Sequence, residues 1–187
     1  MRIAAIIPLG LALMNSEAAE VGQATERHLV ICMARDADTE VELRGRALAA
    51  RIFAEIGIGI EWRCTGGLQK MIRIAISTST PERDSPGALA YAQPSAGRVL
   101  VFCDRVRKSL PSMQSHLLAY VLAHEIAHVL QGTARHSDSG IMKAHWDDHD
   151  FREMVSMNLK FTTYDVLLIH RGMDTDSRTD RLLARVN

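Results

Sequence analysis

The stretch HEIAHVLQGTARHSDSGIM, from His124 to Met142, carries the pattern that decides both the fold and the chemistry of this chain. Its first two histidines stand four positions apart, and residues with that spacing project from the same face of an α-helix. Two imidazoles on one helix face can occupy two corners of a zinc tetrahedron. Glu125 is rotated from His124 by about 100 degrees in a helix. It can therefore reach a metal-bound water as a general base, although it cannot easily join the same set of ligands.

The residues around this motif predict the helix that the motif requires. The helix begins between Ser109 and Ser112 and runs to Gln131. Gly132 is a good terminator, because only glycine enters the left-handed region without a steric penalty. The apolar positions of the helix are Leu117, Leu118, Val121, Leu122, Ile126, Val129 and Leu130. This apolar setting favours a metal site over a pair of solvated surface histidines.

A catalytic zinc site needs a third protein ligand and an open fourth position. His136 lies four residues beyond Gly132, so its imidazole can swing back toward the metal after the turn. Four other residues are alternatives for the third ligand: His145, His149, Asp138 and Glu153. Met142 follows Gly140 and Ile141, and it either lies beneath the site or fills an ordinary core position.

Together these residues resemble the metzincin clan of zinc peptidases, in which a helical H-E-x-x-H precedes a glycine turn, a third histidine and a Met-turn. The resemblance implies the following roles: zinc ligands His124, His128 and His136, general base Glu125, turn Gly132 and Met-turn Met142. Ser137 directly follows the third histidine, and in this respect the chain resembles the matrix-metalloprotease-like branch of the clan. The resemblance implies a zinc-dependent endopeptidase that acts on peptide or protein substrates.

The spacing departs from the metzincin pattern on both sides of Gly132. That pattern has two residues before and two after the glycine, whereas this chain has three in each gap. Ala134 therefore occupies the usual ligand position and cannot bind a metal. The extra residue before Gly132 extends the helix by about 1.5 Å, and the extra residue after it gives the chain room to return. We therefore predict His136 as the third ligand.

Outside the motif, the order of the predicted strands and helices indicates one α/β (α+β) sandwich domain. The resemblance implies that this domain is metzincin-like, with a mixed twisted sheet, a backing helix, the active-site helix and a small C-terminal helical part. Strands are predicted at residues 28–32, 58–64, 72–76 and 98–103, with a short strand at 88–93. Helices are predicted at 39–56 and, in one or two pieces, at 151–171. The short strand is a candidate open edge that could pair with an extended peptide.

The 187 residues suffice for one domain with a core, and the 22 basic and 22 acidic residues balance. This balance indicates neither a nucleic-acid surface nor a membrane-adhering one. Residues 1–18 have the basic start, apolar stretch and small residues of a signal peptide. The predicted organisation is a signal peptide at 1–18, a zinc metallopeptidase-like domain at 19–172 and a loose polar tail at 173–187. The mature protein is therefore predicted to be secreted or periplasmic, with no membrane span.

Several features remain open at this level. Cys32, Cys64 and Cys103 permit one disulfide of undetermined pairing and leave one thiol over. The acidic residues between 147 and 150 could bind calcium, but their spacing favours a solvated turn. Trp146 is a candidate pocket wall beside the Met-turn. Two other functions compete with the peptidase: a non-catalytic zinc-binding module and a zinc amidase with a non-protein substrate.

Overall fold

A computed structural model describes the backbone at residues 27–33, 40–65, 71–80 and 87–183, and the side chains of these residues up to 175. The predicted signal peptide, residues 1–18, lies outside these ranges. Within them, no helix is both long and apolar enough to cross a membrane. The predicted fold class is confirmed, because a mixed sheet and five helices form an α+β domain.

The sheet contains five strands: β1 (Arg27–Met33), β2 (Ile58–Trp62), β3 (Ile72–Ser77), β4 (Ala90–Gln93) and β5 (Arg98–Phe102). Their spatial order is β2-β1-β3-β5-β4. The first four in this order are parallel, and β4 pairs with β5 in the antiparallel direction. The predicted short strand is therefore at the edge of the sheet, with one side free of a partner strand among the described residues.

The helices are α1 (Glu40–Ala54), α2 (Cys103–Ser109), α3 (Gln114–Gln131), α4 (Asp148–Val155) and α5 (Thr163–Leu183). Helix α1 supplies the crossover that the parallel pair β1 and β2 requires. On β3, Ile72 and Ile74 are buried while Arg73 and Ala75 are exposed, so one face of the sheet packs toward the core. Helices α1 and α3 lie together on that face.

Helix α3 occupies the centre of the domain. Every residue from Leu117 to His128 is buried, which is the pattern of a helix covered on all sides. Elements from both halves of the chain enclose it: α1, α2, α4, α5 and the strands β4 and β5. As a result, the two histidines and the glutamate of the motif lie in the interior rather than on a solvated helix face.

Two helical segments differ from the prediction. Strand β5 ends at Phe102, and Cys103 to Ser109 form the short helix α2, which was not predicted. Helix α5 was predicted to end near residue 171, with a loose tail from 173, but it continues to Leu183. Gly172 lies inside this helix. The residue must be glycine, because a Cβ at this position would sit 1.7 Å from the Leu130 carbonyl oxygen. This glycine therefore allows α5 to approach the end of α3 closely and does not terminate the helix.

The cysteine pairing that the sequence left open is resolved in the structure. Cys32 on β1 forms a disulfide with Cys64, which lies just beyond β2. Cys103 is a buried free thiol at the start of α2. The disulfide thus links two neighbouring parallel strands at the end where β1 leaves the sheet.

Candidate metal centre and active site

Three imidazoles converge at the C-terminal end of α3. His124 and His128 come from its last two turns and are buried, whereas His136 comes from the following loop and is exposed. Their possible ligand atoms all lie within 4.8 Å of one another. The ring centroid of His136 is 5.3 Å from that of His124 and 4.9 Å from that of His128. These three residues form a group that can hold a metal ion.

The helix ends where the third histidine must turn back. Gly132 has a φ of 67°, and its N–H contacts the carbonyl oxygens of His128 and Val129. A left-handed conformation at this position is costly for residues with a Cβ. Because the chain reverses here, the carbonyl of Thr133 faces back toward the His128 ring and contacts its Nδ1.

Main-chain carbonyls fix the tautomers of the two helical histidines. His124 Nδ1 lies 2.8 Å from the Ile141 oxygen, and His128 Nδ1 lies 2.9 Å from the Thr133 oxygen. Because a carbonyl only accepts hydrogen bonds, each Nδ1 carries the proton and each Nε2 presents a lone pair. The orientation of a metal-binding histidine by a partner on its other nitrogen is a common feature of metal sites.

The two lone pairs face each other, with the Nε2 atoms 3.0 Å apart. Burial lowers the pKa of His124 to about 4, so a bridging proton is disfavoured at neutral pH. Burial also lowers the pKa of His128 and of His136. Two nitrogens at about 2.0–2.1 Å from a tetrahedral zinc would be roughly 3.3 Å apart. The observed approach therefore suits two neutral ligands of one metal ion.

Glu125 is 8% exposed and does not belong to the group of possible ligands. Burial raises the pKa of its carboxyl to about 7, against a smaller lowering by a hydrogen bond from the Ala92 N–H. That amide belongs to the edge strand β4. The contact holds Glu125 between the histidines and the sheet edge, with a proton affinity that suits a general base near neutral pH.

The open side of β4 follows from its hydrogen-bond register. The Phe102 N–H donates to the Leu89 oxygen over 2.9 Å. Residue pairs of an antiparallel ladder alternate between bonded and non-bonded types. Ala90 and Ala92 therefore direct their N–H and C=O groups away from β5, toward the free edge. The Ala92 bond to Glu125 agrees with this orientation.

Met142 is fully buried, and main-chain hydrogen bonds link the segment around it to the site. The Ser137 N–H donates to the Met142 oxygen over 2.8 Å, and the Ile141 N–H donates to the Lys160 oxygen over 3.0 Å. Ile141 is also the residue whose carbonyl orients His124. The segment predicted as a Met-turn thus connects the third-histidine loop, the first histidine and the chain before α5.

The alternatives for the third ligand lie elsewhere. His145 is exposed at the rim of the cleft, and its charge contributes to the lowered pKa of His136. His149 belongs to a separate group with two aspartates. Glu153 lies near Tyr120, whose pKa it helps to raise. Asp138 is exposed. Among the described residues, only His136 joins the two helical histidines in a potential metal-binding group.

The acidic segment that could have bound calcium forms a helix cap. The Asp147 carboxylate accepts from the N–H groups of His149 and Asp150, and Asp150 accepts from the Asp147 N–H. Lys143 Nζ donates to both carboxylates, at 2.6 and 2.5 Å. The capping box and this lysine account for the carboxylates at 147 and 150 without a cation.

An open cleft of about 550 Å³ adjoins His124 and His136, two of the three histidines. The candidate catalytic and metal-binding residues that line this cleft are His124, Glu125 and His136. Its apolar walls include Leu89, Leu117, Val121, Trp146 and Phe151. The Trp146 ring lies edge-on to His124, with centroids 5.5 Å apart. Trp146 is therefore a wall of the cleft, as predicted.

Sequence reasoning missed two contributions to this site. The Ala92 contact is made by a backbone N–H, for which no side-chain signal exists. Asp165 in the first turn of α5 is fully buried and accepts a hydrogen bond from the Ser137 hydroxyl over 2.7 Å. Its signal was the T-x-x-D spacing from Thr162, which is typical of a helix start.

No protein-family profile and no curated protein sequence matches the chain. Its fold is similar to that of archaemetzincin from Methanopyrus kandleri, with a TM-score of 0.54 and 11% sequence identity. The similarity covers 82% of this chain and 99% of the archaemetzincin chain. This likeness establishes a shared fold.

Proposed function

We propose that this protein is a metzincin-like zinc peptidase that cleaves peptide bonds with Glu125 as the general base. The observation that carries the proposal is the convergence of three imidazoles beside a buried glutamate, at one end of an apolar cleft. The archaemetzincin-like fold supports the same assignment. Assignment to the matrix-metalloprotease-like branch rests only on the sequence resemblance.

The donor set suits zinc. Three neutral imidazoles with a fourth position open to the cleft are the ligand arrangement of a catalytic zinc site. When bound, zinc would supply Lewis-acid activation of a water at this position. His124, His128 and His136 would hold it.

Glu125 supplies the proton transfers in this proposal. Its buried carboxylate takes a proton from the attacking water and returns it to the leaving amine. The raised pKa, about 7, makes both transfers possible near neutral pH. The Ala92 N–H keeps the carboxylate in place during the exchange, since it binds the group from the side of the edge strand.

The cleft and the edge strand support an extended peptide as substrate. The main-chain groups of Ala90 and Ala92 at the free edge can pair with a peptide strand, apart from the Ala92 N–H that Glu125 uses. The apolar walls formed by Leu117, Val121 and Phe151 favour a large apolar side chain next to the cleaved bond. A small amide would leave much of this surface uncovered.

We also propose that the protein works outside the reducing cytosol. The disulfide between Cys32 and Cys64 persists in oxidising compartments such as the periplasm or the extracellular space. The signal-peptide pattern at residues 1–18 points the same way.

A peptide-library assay on zinc-loaded protein tests the proposal. Wild type should cleave peptides that carry a large apolar residue. Glu125→Gln should bind zinc normally but lose about 10²–10⁴-fold in rate, because one positioned acid/base group contributes about that much. Glu153→Gln is the matched control and should retain activity. Zinc binding without cleavage of any peptide would instead favour the binding module or the amidase.

A further inference from the structure

The third histidine is held differently from the first two. His124 and His128 each donate a ring N–H to a main-chain carbonyl. His136 is exposed, and in the part of the chain that the structure describes no hydrogen bond to its ring is found. Its position must therefore come from the backbone on either side of it.

Both neighbours of His136 bind one buried carboxylate. Asp165 Oδ1 accepts from the Ser137 hydroxyl over 2.7 Å and from the Arg135 guanidinium. Arg135 also donates to the main-chain oxygen of His136 over 2.9 Å. Asp165 Oδ2 faces the other way and accepts from the Thr162 hydroxyl over 2.7 Å, which anchors the carboxylate to the start of α5.

This arrangement resists displacement because Asp165 is fully buried. A buried carboxylate without its partners is strongly destabilising. If the loop moved away from α5, the carboxylate would lose the Arg135 and Ser137 contacts together. The Arg135 guanidinium also lies 5.0 Å from the centroid of the Tyr164 ring, so α5 holds this side chain on two sides.

We propose that Asp165 is the positioning residue for the third metal ligand, acting through Arg135 and Ser137. The inference deepens the proposed function and rests on it. It also explains how the lengthened gap after Gly132 is tolerated: a loop with an extra residue has more freedom, and the buried carboxylate on α5 removes it. Asp165 thus does for His136 what the carbonyls of Ile141 and Thr133 do for the other two histidines.

Zinc affinity, measured on the full chain by competition with a chromophoric chelator, tests this role without using activity. Asp165→Ala should weaken zinc binding by about 10- to 100-fold, the usual effect of removing an outer partner of a metal ligand. Thr163→Ala is the matched control, because Thr163 is an exposed residue at the same helix start and its replacement leaves the contacts of Asp165 with Arg135 and Ser137 in place. It should change the zinc affinity by less than about threefold.

Equal zinc affinities for Asp165→Ala and Thr163→Ala would overturn the role of Asp165. If Asp165→Ala does not fold, Ser137→Ala decides, since it removes one hydrogen bond from a partly exposed loop. A loss of about 3- to 10-fold, the worth of one hydrogen bond, supports the inference, and an unchanged affinity refutes it. Wild type without zinc affinity would overturn the proposed function as well, whereas tight wild-type binding with equal variant losses overturns only this inference.

Discussion

Replacement of Glu125 by glutamine in metal-free protein is expected to stabilise the fold in a strongly pH-dependent way. Burial raises the pKa of Glu125 from 4.5 to about 7. At about 1.4 kcal/mol per pKa unit, the charged carboxylate costs the native state about 3 kcal/mol. Glutamine keeps the shape and an acceptor for the Ala92 N–H, but it carries no charge.

The direction follows from proton binding. Between pH 4.5 and about 7 the native state keeps the Glu125 proton longer than the unfolded state does, so stability falls as pH rises. The advantage of Glu125→Gln should therefore be near zero at pH 4 and about 3 kcal/mol at pH 8. His124 acts oppositely, because its lowered pKa makes stability rise between about 4 and 6.5. Its contribution cancels when variant and wild type are compared.

Chemical denaturation in the presence of a strong chelator, at several pH values, measures this difference. Glu55→Gln is the control, because Glu55 is an exposed partner of Lys160. Its effect should stay within about 1 kcal/mol at every pH. A Glu125→Gln advantage that is constant with pH, or larger at pH 4 than at pH 8, would refute the reasoning.

Three further predictions concern packing, the disulfide and the cleft. Gly172→Ala should destabilise the fold by about 3 kcal/mol or more in denaturant unfolding, because its Cβ would overlap the Leu130 oxygen. A neutral result would contradict the close helix approach. Replacing Cys32 and Cys64 by serine should cost about 3–4 kcal/mol for a sequence separation of 32, and an equal unfolding midpoint under non-reducing conditions would contradict the bond. Val121→Phe should fill the cleft and slow cleavage of peptides with large apolar residues without changing zinc affinity; unchanged selectivity would exclude this wall from substrate binding.

The sequence predicted those elements whose signal is local. The apolar periodicity around the H-E-x-x-H motif predicted the central helix, and alternation predicted β2 and β3. The extent of α5 was wrong, since Gly172 looked like a terminator. Its true constraint is a contact with Leu130, which is 42 positions away in the chain and leaves no local pattern.

Local sequence patterns likewise predicted only part of the candidate site. The side chains of His124, Glu125 and His128 belong to one helix, so their spacing alone predicted their relative placement. His136 could be ranked above its rivals but not placed, because the path of its loop depends on Asp165 in α5. The pairing of Cys32 with Cys64 required the parallel register of β1 and β2.

A crystal structure of the zinc-loaded protein tests the central claim most directly. The account predicts one zinc ion per chain, with the Nε2 atoms of His124, His128 and His136 at about 2.0–2.1 Å and a water in the fourth position near Glu125. A structure in which His136 points to solvent while His145, His149 or Glu153 binds the metal would contradict the assigned site. A correctly folded protein that takes up no zinc at these histidines would contradict the account as a whole.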